Sequence, residues 1–247
     1  MTSLRGRLLD VYDRMLRSYG PQQWWPGDTP FEVMVGAILT QAASWSNVRK
    51  AISNLKDAGA LSPEAIRRMS TDELARLVYP SGYYNSKARK LKALVEYLGL
   101  RFDDDIDSMS CEDAEELRDE LLSVYGIGEE TADDILLYAV GKPAFVIDAY
   151  TRRVFSRLGL APERDSYARY RSLFTEALPS DRELFAEYHA LIVRHGKELC
   201  RKRPLCAGCC LLSLCPTGQA LEAQGDPSVD DEVMRANPPL RPGRPAP

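Results

Sequence analysis

Residues 121–135, LLSVYGIGEETADDI, contain a glycine-rich turn between two apolar helical patterns. Apolar residues recur at helical spacing on both sides of the turn, which predicts two amphipathic helices joined by Gly126-Ile127-Gly128. Two glycines so close together permit a tight turn whose backbone amides can approach an anion. A dinucleotide-binding fingerprint would need a preceding strand and a third glycine where Thr131 stands, so that interpretation fails. A plain helical hairpin without a ligand is the alternative.

Helical patterns continue on both sides of this hairpin. Helix-capping residues, several followed by proline, precede apolar residues spaced three or four apart. These caps are Asp28-Thr29, Ser44, Ser62-Pro63, Ser70-Thr71, Ser110 with Asp113, and Asp181. The β-like run Phe145-Val146-Ile147 is too short and isolated to build a sheet. We therefore predict an all-α fold of about ten short helices.

The composition is that of an ordinary globular protein. The 247 residues, 45% of them apolar and 28% charged, suffice for one or two domains with buried cores. No apolar stretch approaches the roughly 18–20 residues that a membrane span needs, and the amphipathic N-terminus lacks the apolar core of a signal peptide. We therefore expect a protein of the reducing cytoplasm or nucleoid that does not bind membranes.

Charge and proline are unevenly distributed. The net charge is only −4, yet basic residues concentrate at 87–92 and 201–203. A basic run of this kind is most often a solvated face. Residues 216–247 are rich in proline and have no periodic apolar pattern, so we predict a disordered tail there.

Four cysteines follow the spacing Cys200-x5-Cys206-x2-Cys209-x5-Cys215. Soft thiolate ligands suit zinc or an iron–sulfur cluster, and zinc ribbons usually offer two Cys-x2-Cys pairs, whereas this segment has one. Spare buried thiols are the alternative. Cys111 and Cys210 are additional cysteines, and Cys210 could replace Cys209 as a ligand. A metal-bound loop would hold the basic run 201–203 rigidly enough to contact phosphates.

Asp148 follows the apolar run 144–147 and opens the next helical pattern. Its simplest role is that of a helix N-cap. A second role is compatible with the first, because a carboxylate at a helix N-terminus is favoured in its ionised form. Such a group can stabilise a sugar cation or orient an attacking water molecule.

Taken in order, four motifs resemble the helix-hairpin-helix glycosylases of base excision DNA repair, in the endonuclease III branch. The motifs are Leu39-Thr40-Gln41, Gly126-Ile127-Gly128, Val146-Ile147-Asp148 and the four-cysteine loop, and the resemblance covers residues 4–215. It implies a six-helix domain at 23–132 that ends in the hairpin. It also implies a second lobe formed by the helix at 1–22 and by residues 133–215, with a cleft between the lobes for a flipped base.

The resemblance also implies a partner, a cofactor and a set of site residues. The partner would be double-stranded DNA with a damaged base, bound by a monomer. Asp148 would be catalytic, and the four cysteines, Cys200, Cys206, Cys209 and Cys215, would hold a [4Fe–4S] cluster, with zinc as the second choice. The base pocket would comprise Trp24, Trp25, Trp45, Gln41 and Glu130. The DNA backbone would be contacted by Gly126, Ile127, Gly128, Thr131, Arg201, Lys202 and Arg203.

Within the branch, the chain is most similar to the 3-methyladenine glycosylase subgroup. The matching segments are Trp24-Trp25-Pro26, Phe31-Glu32, residues 36–41, residues 81–85 and residues 130–133. After Gln41 the subgroup often has Asn-Thr, whereas this chain has Ala42-Ala43, and the first cysteine gap is five residues where the family usually has six.

Two further departures bear on the reaction. Bifunctional members carry a nucleophilic lysine at the position of Glu130, so the resemblance implies a monofunctional enzyme without Schiff-base lyase activity. Adenine-mismatch glycosylases carry a glutamate at the position of Ala37 and an additional recognition domain, so that substrate is not expected. A purine alkylated at N3 or N7 is already cationic and leaves without an acid, and a tryptophan-lined pocket would attract such a cation.

Three alternatives remain open on the sequence. The first is an endonuclease III-like glycosylase for oxidised or mismatched pyrimidines. The second is a non-enzymatic protein that binds DNA structures through the hairpin and the cysteine loop. The third is an electron carrier. A catalytic zinc site is weaker, because the only histidines, His189 and His195, do not form a His-Glu-x-x-His arrangement.

Overall fold

The computed structural model describes residues 3–22, 24 and 27–224. These residues form twelve α-helices, and none of them forms a strand, which confirms the all-α prediction. The helices are α1 Leu4–Tyr19, α2 Pro30–Thr40, α3 Trp45–Asp57, α4 Pro63–Arg68, α5 Thr71–Leu77, α6 Tyr84–Phe102, α7 Ala114–Ser123, α8 Glu129–Asp134, α9 Ala149–Arg157, α10 Tyr167–Thr175, α11 Arg182–Glu198 and α12 Pro216–Ala223. A π-helical segment, Ile135–Val140, continues α8, and short 3₁₀ turns lie at Tyr79–Ser81, Asp107–Cys111 and Leu212–Leu214.

Most predicted caps occupy helix starts. The side chains of Thr29, Ser44 and Ser62 each accept a hydrogen bond from a backbone amide of the following helix. Ser70 forms a reciprocal capping box with Glu73. Ser110 does not cap a helix but lies in the 3₁₀ turn before α7, whose cap is Asp113.

Internal packing divides the chain into two compact units. The first unit comprises Met1–Gln22, Asp148–Tyr170 and Ala190–Pro247, and the second comprises Gln23–Ile147 and Arg171–His189. The second unit therefore includes residues 133–147 and 171–189, which the sequence assigns to the other lobe.

Aromatic packing explains this assignment. The ring of Phe145 stacks on Phe174 with 3.8 Å between centroids, and it meets Phe185 and Tyr188 edge-on at 5.2 and 5.8 Å. All four side chains are buried. Burial of large aromatic rings dominates core energetics, so these contacts hold the segment before Asp148 in the second unit.

The first part of the predicted tail is helical. Residues 216–223 form α12, with Pro216 at its first position and Cys215 as its cap. Proline is favoured at this position because its missing N–H is not needed there. Residues 225–247 lie outside the described residues. Within the described part of the chain, no helix is both long and apolar enough to cross a membrane.

Candidate functional site

The hairpin of the second unit joins α7 to α8 through a turn that requires glycine. Gly126 has φ +86°, and a Cβ atom there would lie 2.3 Å from Cγ of Lys90. Ile127 is only 5% exposed, and its N–H donates to the carbonyl of Val124 at 3.1 Å. Gly128 is the N-cap residue of α8, and no side chain caps this helix. Helix α8 therefore begins directly at the glycine-containing turn.

A buried ion pair fixes the angle of the hairpin. Asp133 on α8 is fully buried and accepts hydrogen bonds from Nε and Nη2 of Arg118 on α7, at 2.7 and 3.3 Å. Nε of Arg171 lies 3.7 Å from the same carboxylate. A bidentate arginine–carboxylate pair constrains direction as well as distance, so α7 and α8 are held at a defined angle.

Gln41, which the sequence assigns to the base pocket, connects the end of α2 to the hairpin. Its Nε2 donates to the carbonyl of Gly126 at 3.0 Å and to Oγ1 of Thr131 at 2.9 Å. Its Oε1 accepts a hydrogen bond from Nζ of Lys90 at 2.5 Å. Thr131 is 5% exposed, so its buried hydroxyl serves this contact and not a surface one.

The remaining base-pocket candidates of the second unit differ in their surroundings. Trp24 is half-buried, and its ring lies 5.5 Å from Tyr138 and 5.7 Å from His189. Trp45 is half-buried as the first residue of α3, and Glu130 is exposed at the second position of α8. Trp25 lies outside the described residues.

Asp148 in the first unit is the N-cap of α9. Its Oδ1 accepts hydrogen bonds from the amide of Thr151 at 2.7 Å and from Oγ1 of the same residue at 2.9 Å. Thr151 is fully buried, whereas Asp148 is only half-buried. The carboxylate is thus fixed by a rigid neighbour and lies where the helix dipole favours its negative charge.

Four cysteines of the first unit line one small cavity of about 20 Å³. They are the four predicted ligands, Cys200, Cys206, Cys209 and Cys215, and Cys210 is not among the lining residues. Cys210 instead lies close to the side chains of Ser18 and Tyr19. This arrangement favours Cys209 over Cys210 as the third ligand.

Two of these sulfurs accept hydrogen bonds that favour a thiolate, whereas burial disfavours a thiolate at Cys209. The amide of Gly218 donates to Sγ of Cys215 at 3.3 Å, and Nη1 of Arg157 donates to Sγ of Cys200 at 3.2 Å. Burial above all, and to a lesser extent the other cysteines, raises the pKa of Cys209 to about 12. Bound cations would offset both this cost and the repulsion among four neighbouring thiolates. Among the described residues, no three His, Cys, Asp or Glu side chains converge on a single metal ion.

The basic run 201–203 lies between the first two cysteines and is exposed. The guanidinium of Arg157 donates to the carbonyls of Arg201 and Lys202, at 2.6 and 3.0 Å. These contacts fix the backbone of the loop, and Nε of Arg201 itself donates to the carbonyl of Lys197 at 3.2 Å. The other basic run, 87–92, is different, since Lys87 is 1% exposed and Lys92 donates to two backbone carbonyls.

Comparison with known protein families identifies the family of this chain. The family model of the HhH-GPD superfamily base excision DNA repair proteins matches residues 35–180, more than half of the chain. The chain belongs to this superfamily. The matched residues include the hairpin and Asp148.

Relatives of this HhH-GPD protein support the endonuclease III branch. A protein of Methanocaldococcus jannaschii with the provisional name DNA repair glycosylase is 45% identical over 207 residues, which are 83% of this chain and 94% of that protein. Endonuclease III of Sulfolobus acidocaldarius is 30% identical over 187 residues, covering 75% of this chain and 81% of that enzyme.

Two solved structures share the fold of the HhH-GPD protein. A trapped covalent endonuclease III–DNA intermediate has a TM-score of 0.77 at 24% identity, covering 90% of this chain and all of that one. The 3-methyladenine DNA glycosylase of H. pylori, bound to 1,N6-ethenoadenine, has a TM-score of 0.65 at 28% identity, covering 80% of this chain and 98% of that one.

The sequence does not reveal that α6 of this HhH-GPD protein carries a buried lysine. The basic run 87–92 suggests a solvated face, yet Nζ of Lys87 is buried and donates to the carbonyls of Leu39 and Ser81. A signal was present, because Lys87 stands at helical spacing from the buried residues Leu91 and Leu94. A lysine on the apolar face of a helix is expected to be buried, and its ammonium then needs backbone carbonyls as hydrogen-bond acceptors.

Proposed function

We propose that this protein is a monofunctional DNA glycosylase that removes an alkylated purine, with 3-methyladenine as the first choice. The observation that carries the proposal is Glu130, an exposed carboxylate at the second position of α8. Bifunctional relatives of this type place a lysine nucleophile there, and a carboxylate cannot form a Schiff base. The coarser activity, DNA glycosylase of base excision repair, agrees with the superfamily and with the name of its M. jannaschii relative.

Asp148 would act on the sugar. Departure of the base leaves an oxocarbenium-like sugar, which a nearby carboxylate stabilises. The hydrogen bonds from Thr151 favour the ionised form of Asp148 and fix the orientation of its Oδ1. The same carboxylate can orient the attacking water and accept its proton.

The choice of substrate depends on the leaving group. A neutral base departs as an anion unless an acid protonates it, and Ala37 stands where adenine-mismatch enzymes have that acid. A purine alkylated at N3 or N7 is cationic and needs an electron-rich aromatic surface instead. Trp24 and Trp45 are half-buried aromatic residues of the second unit that can offer such a surface. The H. pylori relative, named a 3-methyladenine DNA glycosylase, supports this choice.

Double-stranded DNA would be held by two surfaces, one in each unit. One is the first turn of α8, with Gly128 at its start and no side-chain cap. The other is the exposed basic run 201–203. Structural neighbours that are DNA complexes of endonuclease III support DNA as the partner.

We also propose a [4Fe–4S] cluster, held by Cys200, Cys206, Cys209 and Cys215. The shared cavity, the single Cys-x2-Cys pair and the N–H donors at two sulfurs fit a cluster better than a tetrahedral zinc. When bound, the cluster would cross-link the loop that carries residues 201–203.

The proposal is tested with a panel of duplexes that each contain one lesion. We expect release of 3-methyladenine and other methylated purines, and no strand cleavage without a separate lyase. Efficient excision of thymine glycol or mismatched pyrimidines with no activity on methylated DNA would instead establish the endonuclease III-like alternative, which the Sulfolobus relative favours. Binding of DNA without excision of any base would establish the non-enzymatic alternative.

A further inference from the structure

The helix α6 directs two lysines, one turn apart, toward surface segments of the second unit. Lys87 is 1% exposed, and its Nζ donates to the carbonyl of Leu39 at 2.8 Å and to the carbonyl of Ser81 at 2.7 Å. Nζ of Lys90 donates to Oε1 of Gln41. One helix therefore contacts both the end of α2 and the turn that precedes α6 itself.

Each acceptor of Lys87 lies next to an exposed segment. Leu39 is two residues before Gln41, and we call residues 40–44 the Gln41 loop. Ser81 begins the turn of residues 81–83, the Tyr83 turn, in which Gly82 and Tyr83 have φ of +69° and +46°. Left-handed backbone at a tyrosine is strained, so the surroundings must hold it in place. The side chain of Tyr83 is 74% exposed.

The contacts continue from the Gln41 loop to the hairpin. Gln41, held by Lys90, donates to the carbonyl of Gly126 and to Oγ1 of Thr131. The aliphatic part of Lys90 also covers Gly126, since a Cβ atom there would come within 2.3–2.8 Å of it. Lys87 thus joins the Tyr83 turn to Leu39, immediately before the Gln41 loop, and Lys90 together with Gln41 joins that loop to the hairpin.

Burying Lys87 is costly, and packing alone would be served better by an apolar residue. Desolvation, with a smaller contribution from the charge of Lys90, lowers the pKa of Lys87 to about 8. A methionine would fill similar space without this cost. What methionine cannot do is donate to two carbonyls at once.

We propose that Lys87 and Lys90 are positioning residues that hold the Tyr83 turn, the Gln41 loop and the hairpin as one preorganised DNA-binding surface. This inference rests on the proposed function, because it takes DNA as the ligand of that surface. It adds two residues, and the order in which they connect three segments, to the candidate site.

The same helix provides a matched control. Nζ of Lys92 also donates to two backbone carbonyls, those of Arg67 and Met69, at the end of α4. Lys92→Met therefore removes the same kind of contact from α6 without touching the three connected segments. Any general effect of losing a lysine from this helix appears in both variants.

The first experiment measures amide hydrogen exchange without DNA. We expect Lys87→Met to speed exchange about ten-fold in both the Gln41 loop and the Tyr83 turn, because they share one ammonium. Lys92→Met should speed exchange only around residues 67–70. Unchanged exchange in both segments of a folded Lys87→Met variant would overturn the inference, whether or not the protein is a glycosylase.

The second experiment measures affinity for a duplex with an uncleavable abasic analogue. We expect about ten-fold weaker binding for Lys87→Met and Lys90→Met, and less than about two-fold for Lys92→Met. The slope of log Kd against log salt should stay unchanged, because a positioning residue releases no counterions, whereas Arg201→Met should reduce it by about one.

The outcomes separate the two claims. Equal weakening by Lys87→Met and Lys92→Met would overturn the inference and leave the proposed function intact. A reduced salt slope for Lys90→Met would show a phosphate contact instead of positioning. If Lys87→Met does not fold, Lys90→Met and Gln41→Met decide, since both side chains are only half-buried. Failure of the unaltered protein to bind any duplex would refute the proposed function itself.

Discussion

Oδ1 of Asp148 accepts two hydrogen bonds from the single residue Thr151, one from its amide and one from its hydroxyl. The contact caps α9 and at the same time fixes the orientation of the carboxylate. Capping and the proposed catalytic role make different demands on Asp148, since a cap needs an oxygen acceptor and the proposed reaction needs a negative charge.

Asp148→Asn separates these demands. We expect the variant to stay folded and to bind lesion-containing DNA, because the asparagine oxygen still caps α9. Base release should fall about 10²- to 10⁴-fold in a single-turnover assay. Asp113→Asn, which alters the cap of α7 in the same way, is the control and should release base at the normal rate. If Asp148→Asn released the base at the normal rate, Asp148 would act only as the N-cap of α9.

The monofunctional mechanism predicts that borohydride traps no covalent adduct between the protein and abasic DNA. Glu130→Lys would place an amine at the second position of α8, and we expect it to give a trapped adduct above the unaltered level. The measurement is a gel shift under denaturing conditions. A strong adduct with the unaltered protein would show a lyase and contradict the assignment of Glu130.

Cluster binding predicts a specific pattern among the cysteines. Alanine at Cys200, Cys206, Cys209 or Cys215 should lower the iron and sulfide content of anaerobically purified protein, whereas Cys210→Ala should keep it, because Cys210 does not line the cavity. Cys111→Ala, at an exposed cysteine, is a second control. One equivalent of zinc in a colourless protein would refute the cluster while retaining the ligands.

Lys87 predicts a pH dependence of stability. Its pKa is about 8 in the folded chain against an ordinary value of 10.5, so between these values the unfolded chain binds a proton that the folded chain has released. The free energy of unfolding should then rise with pH by up to about 1.4 kcal/mol per pH unit across that window. Urea denaturation should show this rise in the unaltered protein and in Lys92→Met. If Lys87→Met still shows the full rise of the unfolding free energy with pH, other titratable groups cause that rise.

An aromatic base pocket predicts that Trp24→Ala or Trp45→Ala slows the release of methylated purines by about ten-fold or less, in line with about 0.5–2 kcal/mol for a cation over an indole. Release of a neutral base, if measurable, should change less. Thermal denaturation checks the fold of each variant. Equal loss for cationic and neutral bases would indicate packing instead of cation recognition.

The helices and the positions of the motifs could be predicted from local sequence patterns. Caps such as Thr29 before Pro30 act through neighbours three residues away, so they can be recognised in the sequence. The four cysteines line one cavity as their spacing suggests. Superfamily membership followed from the order of motifs, which is also a property of the chain alone.

What the sequence could not supply depends on contacts across long separations. The placement of residues 133–147 in the second unit results from the stacking of Phe145 on Phe174, which no local pattern encodes. The assignment of Gln41 to the base pocket stays a prediction, but the sequence does not show that its amide donates to Gly126 and Thr131, more than eighty residues away. Lys87 shows the same limit. Its charge suggests a surface residue, whereas its position on the apolar face of α6 indicates burial.

The first unit is assembled from segments that lie far apart in the chain, and this constrains the order in which it can form during synthesis. Helix α1 is made long before two residues that it contacts: Arg14 donates to Oγ of Ser213, and Tyr19 hydrogen bonds to Nδ1 of His195. Residues 23–147 of the second unit are made in between. At roughly 5–20 residues per second, the ribosome needs on the order of 10–40 s between Arg14 and Ser213. Throughout that interval Arg14 lacks this partner, so the contacts of α1 are complete only after residue 213 has been made.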